Sequence, residues 1–224
     1  DFKSFFSAGY AVRHPEIPLY DLITLVENPF GEVFKLAPPA AVYLVPISFG
    51  TIQQARLVWR VTLVIAIVLA HGLLMRGLGV RMLGWPWVAF LALWLQFGPL
   101  QIAVGEGQWD PIMLLCVAVA TVGVMRNRFL LAAVLVAVAA SIKPYPIFLA
   151  GMFLARRQWV AIIVTGATFV GLMVVGSVIV GLDEASAFFT RVMPASGATT
   201  AYADNQSLAG VLARLVTNDL KPFP

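Results

Sequence analysis

The chain has 224 residues, of which 60% are hydrophobic and only 12% are charged, and its mean hydropathy is +0.89. This composition excludes an ordinary soluble domain. The net charge is +4, but the basic residues are spread over short loops between hydrophobic runs, which excludes the basic stripe of a nucleic-acid-binding protein.

We interpret residues 1–224 as one membrane domain from a longer chain. The sequence begins with Asp1 rather than Met and shows no signal-peptide pattern. Its single cysteine, Cys116, lies in an apolar segment, where a buried thiol that packs as a small hydrophobic group is expected.

Residues 1–35 are predicted to form a water-facing loop that could include short interfacial helices. This segment holds five acidic residues, several aromatic residues and the turn signals Pro15-Glu16-Ile17-Pro18 and Asn28-Pro29.

Residues 36–182 carry the predicted transmembrane helices. Prolines interrupt residues 36–49, whereas residues 54–75 have the pattern of a helix. Two uncharged runs, of 23 residues (83–105) and 24 residues (159–182), can each cross a hydrocarbon core of roughly 30 Å. The later helical segments are predicted at residues 85–104, 111–125, 129–142, 145–155 and 158–181.

The charges predict the orientation of these helices. Basic residues form three clusters without any acid among them, which is typical of cytoplasmic loops: Arg76 and Arg81, Arg126 and Arg128, Arg156 and Arg157. With those loops inside, all eleven acidic residues face outward. Residues 183–224 then form an extracytoplasmic loop with a short helix.

This topology has two consequences for short segments. Residues 129–155 must form a hairpin, because both flanking basic pairs lie inside, and residues 36–49 must be re-entrant or lie along a cavity. We therefore expect an all-α, polytopic transmembrane bundle with short re-entrant or hairpin helices and an extracytoplasmic loop face. In a competing topology, residues 36–49 form a full span and Arg126 and Arg128 lie outside.

The tip of the predicted hairpin carries the most suggestive ionisable residue. Lys143 stands between two apolar arms and is followed by Pro144, a place where an ionisable group points to function. Its ammonium could bind a phosphate, or the side chain could simply extend to the membrane interface.

A second candidate is the turn that holds Glu106, Gln108 and Asp110. These side chains could hydrogen-bond ligand hydroxyl groups, and Trp109 could stack on a sugar ring. Alternatively, Asp110 caps the next helix ahead of Pro111. Two carboxylates without a further ligand make a weak metal site, and we expect none.

Three further groups of outer residues are candidates. Asp1 could act as a base near a cavity or serve as a helix cap. Arg191 lies in the predicted outer loop. Asn205, Gln206 and Ser207 precede an apolar helical pattern, which they could cap, or they could bind substrate.

Several short motifs occur in an order that resembles glycosyltransferase family 87. They are Asp1 followed by aromatic residues, residues 19–21 (Leu-Tyr-Asp), 34–39 (Phe-Lys-Leu-Ala-Pro-Pro), 107–108 (Gly-Gln), 142–146 (Ile-Lys-Pro-Tyr-Pro) before Arg156-Arg157, and 205–210 (Asn-Gln-Ser-Leu-Ala-Gly) with Arg214. The resemblance covers most of the chain. At residue 110 the family usually has Asn, so the Asp in this chain adds a charge to the turn.

The resemblance implies a membrane glycosyltransferase of the GT-C fold in a bacterial plasma membrane. It implies a polyprenyl-phosphate donor, with mannose as the favoured sugar, a lipid-linked glycan acceptor, an extracytoplasmic active site and no metal or other cofactor. By the same analogy Asp1 is the base of an inverting reaction. Donor contacts are expected from Lys143, Gln108, Arg191, Asn205 and Tyr145, and acceptor or sugar contacts from Glu106, Trp109, Asp110, Gln206 and Ser207.

Two alternatives stay open. A relative could use another polyprenyl-phosphate sugar, such as an arabinose donor. A transporter or lipid flippase would also have broken helices, although it usually keeps its ionisable residues inside the spans, whereas here they lie mostly in outer loops.

Overall fold

The computed structural model describes residues 2–20, 34–81, 84–196 and 215, and the elements in these ranges are helices. The shorter helices are α1 (Phe2–Arg13), α2 (Pro38–Tyr43), α4 (Trp85–Gln96), α5 (Gly98–Glu106), α8 (Gly151–Ala155), α10 (Leu182–Ala187) and α11 (Met193–Ser196). The longer ones are α3 (Ile52–Gly77), α6 (Asp110–Met125), α7 (Phe129–Ile142) and α9 (Trp159–Val180). Two 3-10 segments, Val45–Ser48 and Tyr145–Ala150, and one π-helical segment, Phe188–Val192, complete the described ranges.

Two of these helices are long and apolar enough to cross a membrane. Helix α3 has 26 residues and α9 has 22. At roughly 1.5 Å per residue, α9 is about 33 Å long, which matches the hydrocarbon core. The predicted all-α membrane fold is confirmed.

The predicted continuous span at residues 85–104 is wrong in one respect. Helices α4 and α5 are separate and meet at an angle of 61°. Pro99 stands in the first turn of α5, where its ring prevents the preceding helix from continuing. The Gln101 side-chain amide donates to the Leu95 carbonyl oxygen at 2.8 Å, which satisfies one acceptor at the end of α4.

Three apolar segments that are shorter than a full membrane span follow the α4–α5 pair: α6, α7 and residues 145–155. Helix α7 packs between α6 and α9, and α6 packs on α3. The 3-10 segment Tyr145–Ala150 folds back against α7, so that residues 129–155 form the predicted hairpin. The ends of α5, α6 and α7 thereby meet around one region of the bundle.

Helix α1 differs from the water-facing loop that the sequence predicted. Eight of its residues are buried, among them Phe2, Phe5 and Phe6. These aromatic side chains join a core that also holds Trp59 and Trp109. Because its small and aromatic residues form an apolar face, α1 packs into the bundle instead of lying on its surface.

Residues 36–49 form two short helical pieces rather than one span. Helix α2 has six residues and is followed by a four-residue 3-10 segment. Pro38, Pro39 and Leu44 are fully buried, and α2 packs on α9 at Gly176. A Cβ at Gly176 would lie 2.7 Å from the Pro39 nitrogen, so this contact requires glycine.

Candidate active site

An ion pair joins the beginning of α6 to the end of α7. Lys143 Nζ lies 2.9 Å from Oδ2 and 3.1 Å from Oδ1 of Asp110, and donates hydrogen bonds to both oxygens. The Lys143 side chain is 26% exposed and that of Asp110 is 34% exposed, so the pair is partly removed from water. Lys143 therefore makes a specific contact, which argues against simple extension to the membrane interface.

Tyr145 adds a third group to this ion pair. Its hydroxyl lies 3.3 Å from Asp110 Oδ1 and donates to it. Burial, and secondarily the negative charge of Asp110, raises the pKa of Tyr145 to about 12. The phenol therefore stays protonated and serves as a hydrogen-bond donor throughout the physiological pH range.

The predicted capping role of Asp110 is wrong. Asp110 is the first residue of α6, its neighbour Trp109 is the N-cap, and no side-chain cap bond forms. Asp110 is one position past the N-cap, and its carboxylate accepts two charge-assisted hydrogen bonds from Lys143 instead. Its place in the first turn still favours its negative charge.

One cavity opens on the Asp110 side of the pair and has a volume of about 480 Å³. Gln108, Asp110 and Tyr145 supply its polar groups. We call it the α5–α6 cavity. Its remaining lining residues are apolar: Phe97, Pro99, Leu100, Ile102, Ala103, Met113, Leu114 and Val117.

A second cavity, of about 360 Å³, opens on the Lys143 side. Lys35 and Lys143 supply its charged groups, and we call it the lysine cavity. Its other lining residues are apolar: Leu36, Ala37, Ala140, Ile142, Pro144, Phe169, Met173, Phe188, Phe189 and Met193. Because Lys143 lines one cavity and Asp110 the other, their ion pair stands at the boundary between the two.

The turn between α5 and α6 is held rigidly. Gly107 has a φ of +73°, and its carbonyl oxygen accepts a hydrogen bond of 2.6 Å from Trp59 Nε1. A Cβ at Gly107 would lie 3.0 Å from Phe2 Cβ, so α1 begins directly against this turn. The turn thereby presents Gln108 to the α5–α6 cavity.

Trp109 is not available to stack on a sugar. Its side chain is 4% exposed and its ring packs against those of Phe5, Tyr43 and Trp59. The predicted sugar contact of Trp109 is therefore wrong. Its indole belongs to the hydrophobic core, because the aromatic residues of α1 and α3 cover it.

The other predicted residues are distributed as follows. Glu106 is the exposed last residue of α5, and it does not line either cavity. Arg191 is exposed in the π-helical segment, whose Phe188 and Phe189 line the lysine cavity. Four residues lie outside the described part of the chain: Asp1, Asn205, Gln206 and Ser207.

Lys35 is a site residue whose sequence motif, residues 34–39, did not by itself predict a role in binding. Its neighbours are anchored on both sides: Phe34 is 2% exposed, and the Leu36 carbonyl oxygen accepts a hydrogen bond of 2.7 Å from Tyr20. The Tyr20 backbone N–H in turn donates to the Glu184 carboxylate at 3.0 Å. Burial, and secondarily Glu184, raises the pKa of the Tyr20 hydroxyl, which keeps it protonated as a donor.

The helices and the two cavities define an α-helical membrane protein whose polar site lies where its short helices end. Residues 37–222 match glycosyltransferase family 87. The chain belongs to this family, and the predicted membership is confirmed.

Three relatives illustrate the similarity. The polyprenol-phosphate-mannose-dependent alpha-(1-2)-phosphatidylinositol pentamannoside mannosyltransferase of Mycolicibacterium smegmatis is 27% identical over 90% of this chain and 49% of its own length. The protein of the same name from Mycobacterium tuberculosis is 27% identical over 98% of this chain and 51% of its own length. An alpha-(1->3)-arabinofuranosyltransferase of Corynebacterium glutamicum is 30% identical over 87% of this chain and 46% of its own length.

The chain thus spans about half the length of the curated relatives it matches. No solved structure matches it.

Proposed function

We propose that this chain forms part of a glycosyltransferase that moves a sugar, preferably mannose, from a polyprenyl-phosphate donor to a lipid-linked glycan. The observation that carries the proposal is the Lys143–Asp110 ion pair between two largely apolar cavities in a member of glycosyltransferase family 87. Such cavities can take lipid-linked substrates, and their few polar groups can orient the reacting ends.

In the proposed reaction, an acceptor hydroxyl oxygen attacks C1 of the donor sugar. The hydroxyl proton passes to the Asp1 carboxylate, and the bond between C1 and the phosphate oxygen breaks, so that polyprenyl phosphate leaves. Attack opposite the leaving group inverts the anomeric centre and requires a single base. Support for Asp1 comes from the motif order that resembles glycosyltransferase family 87, in which Asp1 takes the place of the loop carboxylate.

The remaining site residues act through charge and hydrogen bonding. Lys143 stabilises the phosphate as its negative charge grows, and no metal is assigned to this role. Gln108, Tyr145 and Asp110 line the α5–α6 cavity and can hold sugar hydroxyls. Arg191, Asn205, Gln206 and Ser207 stay proposed substrate contacts, and we place the reaction on the extracytoplasmic face of a bacterial plasma membrane.

A second candidate is transfer of arabinose from a polyprenyl-phosphate donor. It is favoured by the similarity to the arabinofuranosyltransferase of Corynebacterium glutamicum, which is 30% identical. Membership of a glycosyltransferase family favours either transfer reaction over transport or lipid flipping.

The test is a transfer assay with membranes that contain the full-length protein. Radiolabelled polyprenyl phosphate mannose and polyprenyl phosphate arabinose are supplied in parallel, and labelled glycolipid is measured. We expect label from the mannose donor that depends on Lys143. Label from the arabinose donor alone would support the second candidate, and label from neither would contradict the proposal.

A further inference from the structure

The lysine cavity combines positive charge with an apolar wall. Lys35 and Lys143 both line it, and its other described lining residues are apolar. None of the described residues that line it is acidic. An uncharged lipid would leave the Lys35 ammonium without a counter-charge among the described residues, whereas Lys143 has Asp110. A free inorganic anion would leave the apolar wall unoccupied. The chemistry matches an anion attached to a long apolar chain.

Lys35 is available for such an anion. Its side chain is exposed, and within the described ranges it has no carboxylate partner. Its backbone is positioned by the buried ring of Phe34 and by the Tyr20 hydrogen bond to Leu36. The ammonium therefore extends from an anchored segment, which lowers the entropic cost of binding.

Lys143 differs because it already has a partner. Asp110 holds its ammonium from the side of the α5–α6 cavity. An anion in the lysine cavity would contact Lys35 and Lys143, whereas the Asp110 carboxylate lines the α5–α6 cavity. This separation of charge gives the two cavities different preferences, for an anionic ligand in one and a neutral ligand in the other.

We propose that the lysine cavity binds the phosphate group and adjoining isoprene units of the polyprenyl-phosphate donor, with Lys35 and Lys143 as phosphate ligands and the Phe169, Met173 and Phe189 side chains against the lipid. The α5–α6 cavity then receives the acceptor glycan. The inference rests on the proposed function and adds Lys35 as a donor-binding residue. Aromatic and methionine side chains adapt readily to a branched hydrocarbon chain.

The test measures binding of polyprenyl phosphate without sugar to the purified full-length protein. The variants are Lys35→Met, Lys35→Arg and Arg156→Met. The last is a matched loss of an exposed cation that lines neither cavity. We expect Lys35→Met to weaken binding by about 10- to 100-fold, the loss of one charge-assisted hydrogen bond. Lys35→Arg should retain affinity within about threefold, and Arg156→Met should bind like the wild type.

Two further ligands separate the sources of the binding energy. Polyprenol without phosphate should bind the wild type and Lys35→Met equally, because only the apolar wall recognises it. Phosphatidylglycerol in nanodiscs should displace polyprenyl phosphate only at about 100-fold excess or more. Equal displacement would mean a general anionic-lipid site and would overturn the donor assignment.

Unchanged binding by Lys35→Met, or no measurable binding by the wild type, would also overturn the inference. The assay needs no sugar transfer, so its outcome can be separated from that of the proposed function. Binding that depends on Lys35 in a protein without transfer activity would overturn the proposed function alone. Transfer activity with normal binding by Lys35→Met would overturn this inference alone.

Discussion

The two cavities that meet at the Lys143–Asp110 pair have similar apolar walls and opposite polar groups. The α5–α6 cavity has a carboxylate, an amide and a phenol, whereas the lysine cavity has two ammonium groups. Apolar walls alone would let both cavities accept the same lipids. This difference indicates that charge, rather than shape or hydrophobicity, can select one substrate for each cavity.

The largest expected effect concerns the proposed base, Asp1. Asp1→Asn should reduce transfer by about 100- to 10,000-fold, because the acceptor hydroxyl then lacks a proton acceptor. Binding of polyprenyl phosphate should stay within about twofold of the wild type, since the lysine cavity is unchanged. Single-turnover rates and donor binding measured on the same preparation check this. Retained turnover would remove Asp1 from the mechanism.

The second effect concerns the cation at the boundary of the two cavities. Lys143→Met should weaken binding of polyprenyl phosphate by about 10- to 100-fold, because it removes a charge-assisted hydrogen bond to the phosphate. It also leaves Asp110 without its partner. The double variant Lys143→Met/Asp110→Asn should therefore recover thermal stability without recovering donor binding. Normal donor affinity in either variant would contradict the role of Lys143.

A smaller effect of opposite sign is expected on the acidic side. Asp110→Asn removes the carboxylate that competes with the donor phosphate for Lys143, so binding of polyprenyl phosphate should tighten by about three- to tenfold. Asp183→Asn is the matched control, since Asp183 is an exposed acid that lines neither cavity. Titration calorimetry at constant ionic strength measures the affinity of both variants for polyprenyl phosphate. Weaker binding by Asp110→Asn would show that Asp110 positions Lys143 instead of competing for it.

The smallest effect belongs to Tyr145, whose hydroxyl makes a 3.3 Å contact with Asp110. Tyr145→Phe should weaken the apparent acceptor affinity by about threefold, because it removes one neutral hydrogen-bond donor.

The same variant tests the pH dependence of stability. The pKa of Tyr145 is raised from 10.0 to about 12, so its contribution to stability is fully present below pH 10 and is lost as the pH rises through 12. The melting temperature of the wild type should therefore fall more steeply over this window than that of Tyr145→Phe. Tyr20, whose pKa is also raised, is present in both proteins and cancels from the difference. Parallel curves would contradict the raised pKa of Tyr145.

Hydropathy predicted the helices well, because a long apolar segment in a membrane must satisfy its backbone hydrogen bonds internally, as a helix does. Two departures came from local and tertiary detail. Pro99 separates α4 from α5, although the uncharged run continues through it. Helix α1 is buried because its aromatic residues pack against α3 and residues 34–44. The charged residues of segment 1–35 predicted a water-facing loop instead.

The sequence indicated the two turns that carry the site, but not that Lys143 and Asp110 form an ion pair. Proline next to Lys143 and the cluster of polar residues around Asp110 marked both turns, but 33 positions separate the two residues and only the packing of α6 on α7 brings them together. That packing explains why Asp110 binds Lys143 rather than capping α6. Lys35 was missed because nothing in an isolated motif shows that it shares a cavity with a residue more than a hundred positions later.

The most direct test of the charge-based division is to photolabel the full-length protein with a polyprenyl phosphate that carries a diazirine on its first isoprene units. Mass spectrometry then locates the adducts. If the donor occupies the lysine cavity, adducts should fall at Phe169, Met173 and residues 188–193. Adducts concentrated instead at residues 97–117, which contribute most of the α5–α6 cavity, would contradict the account.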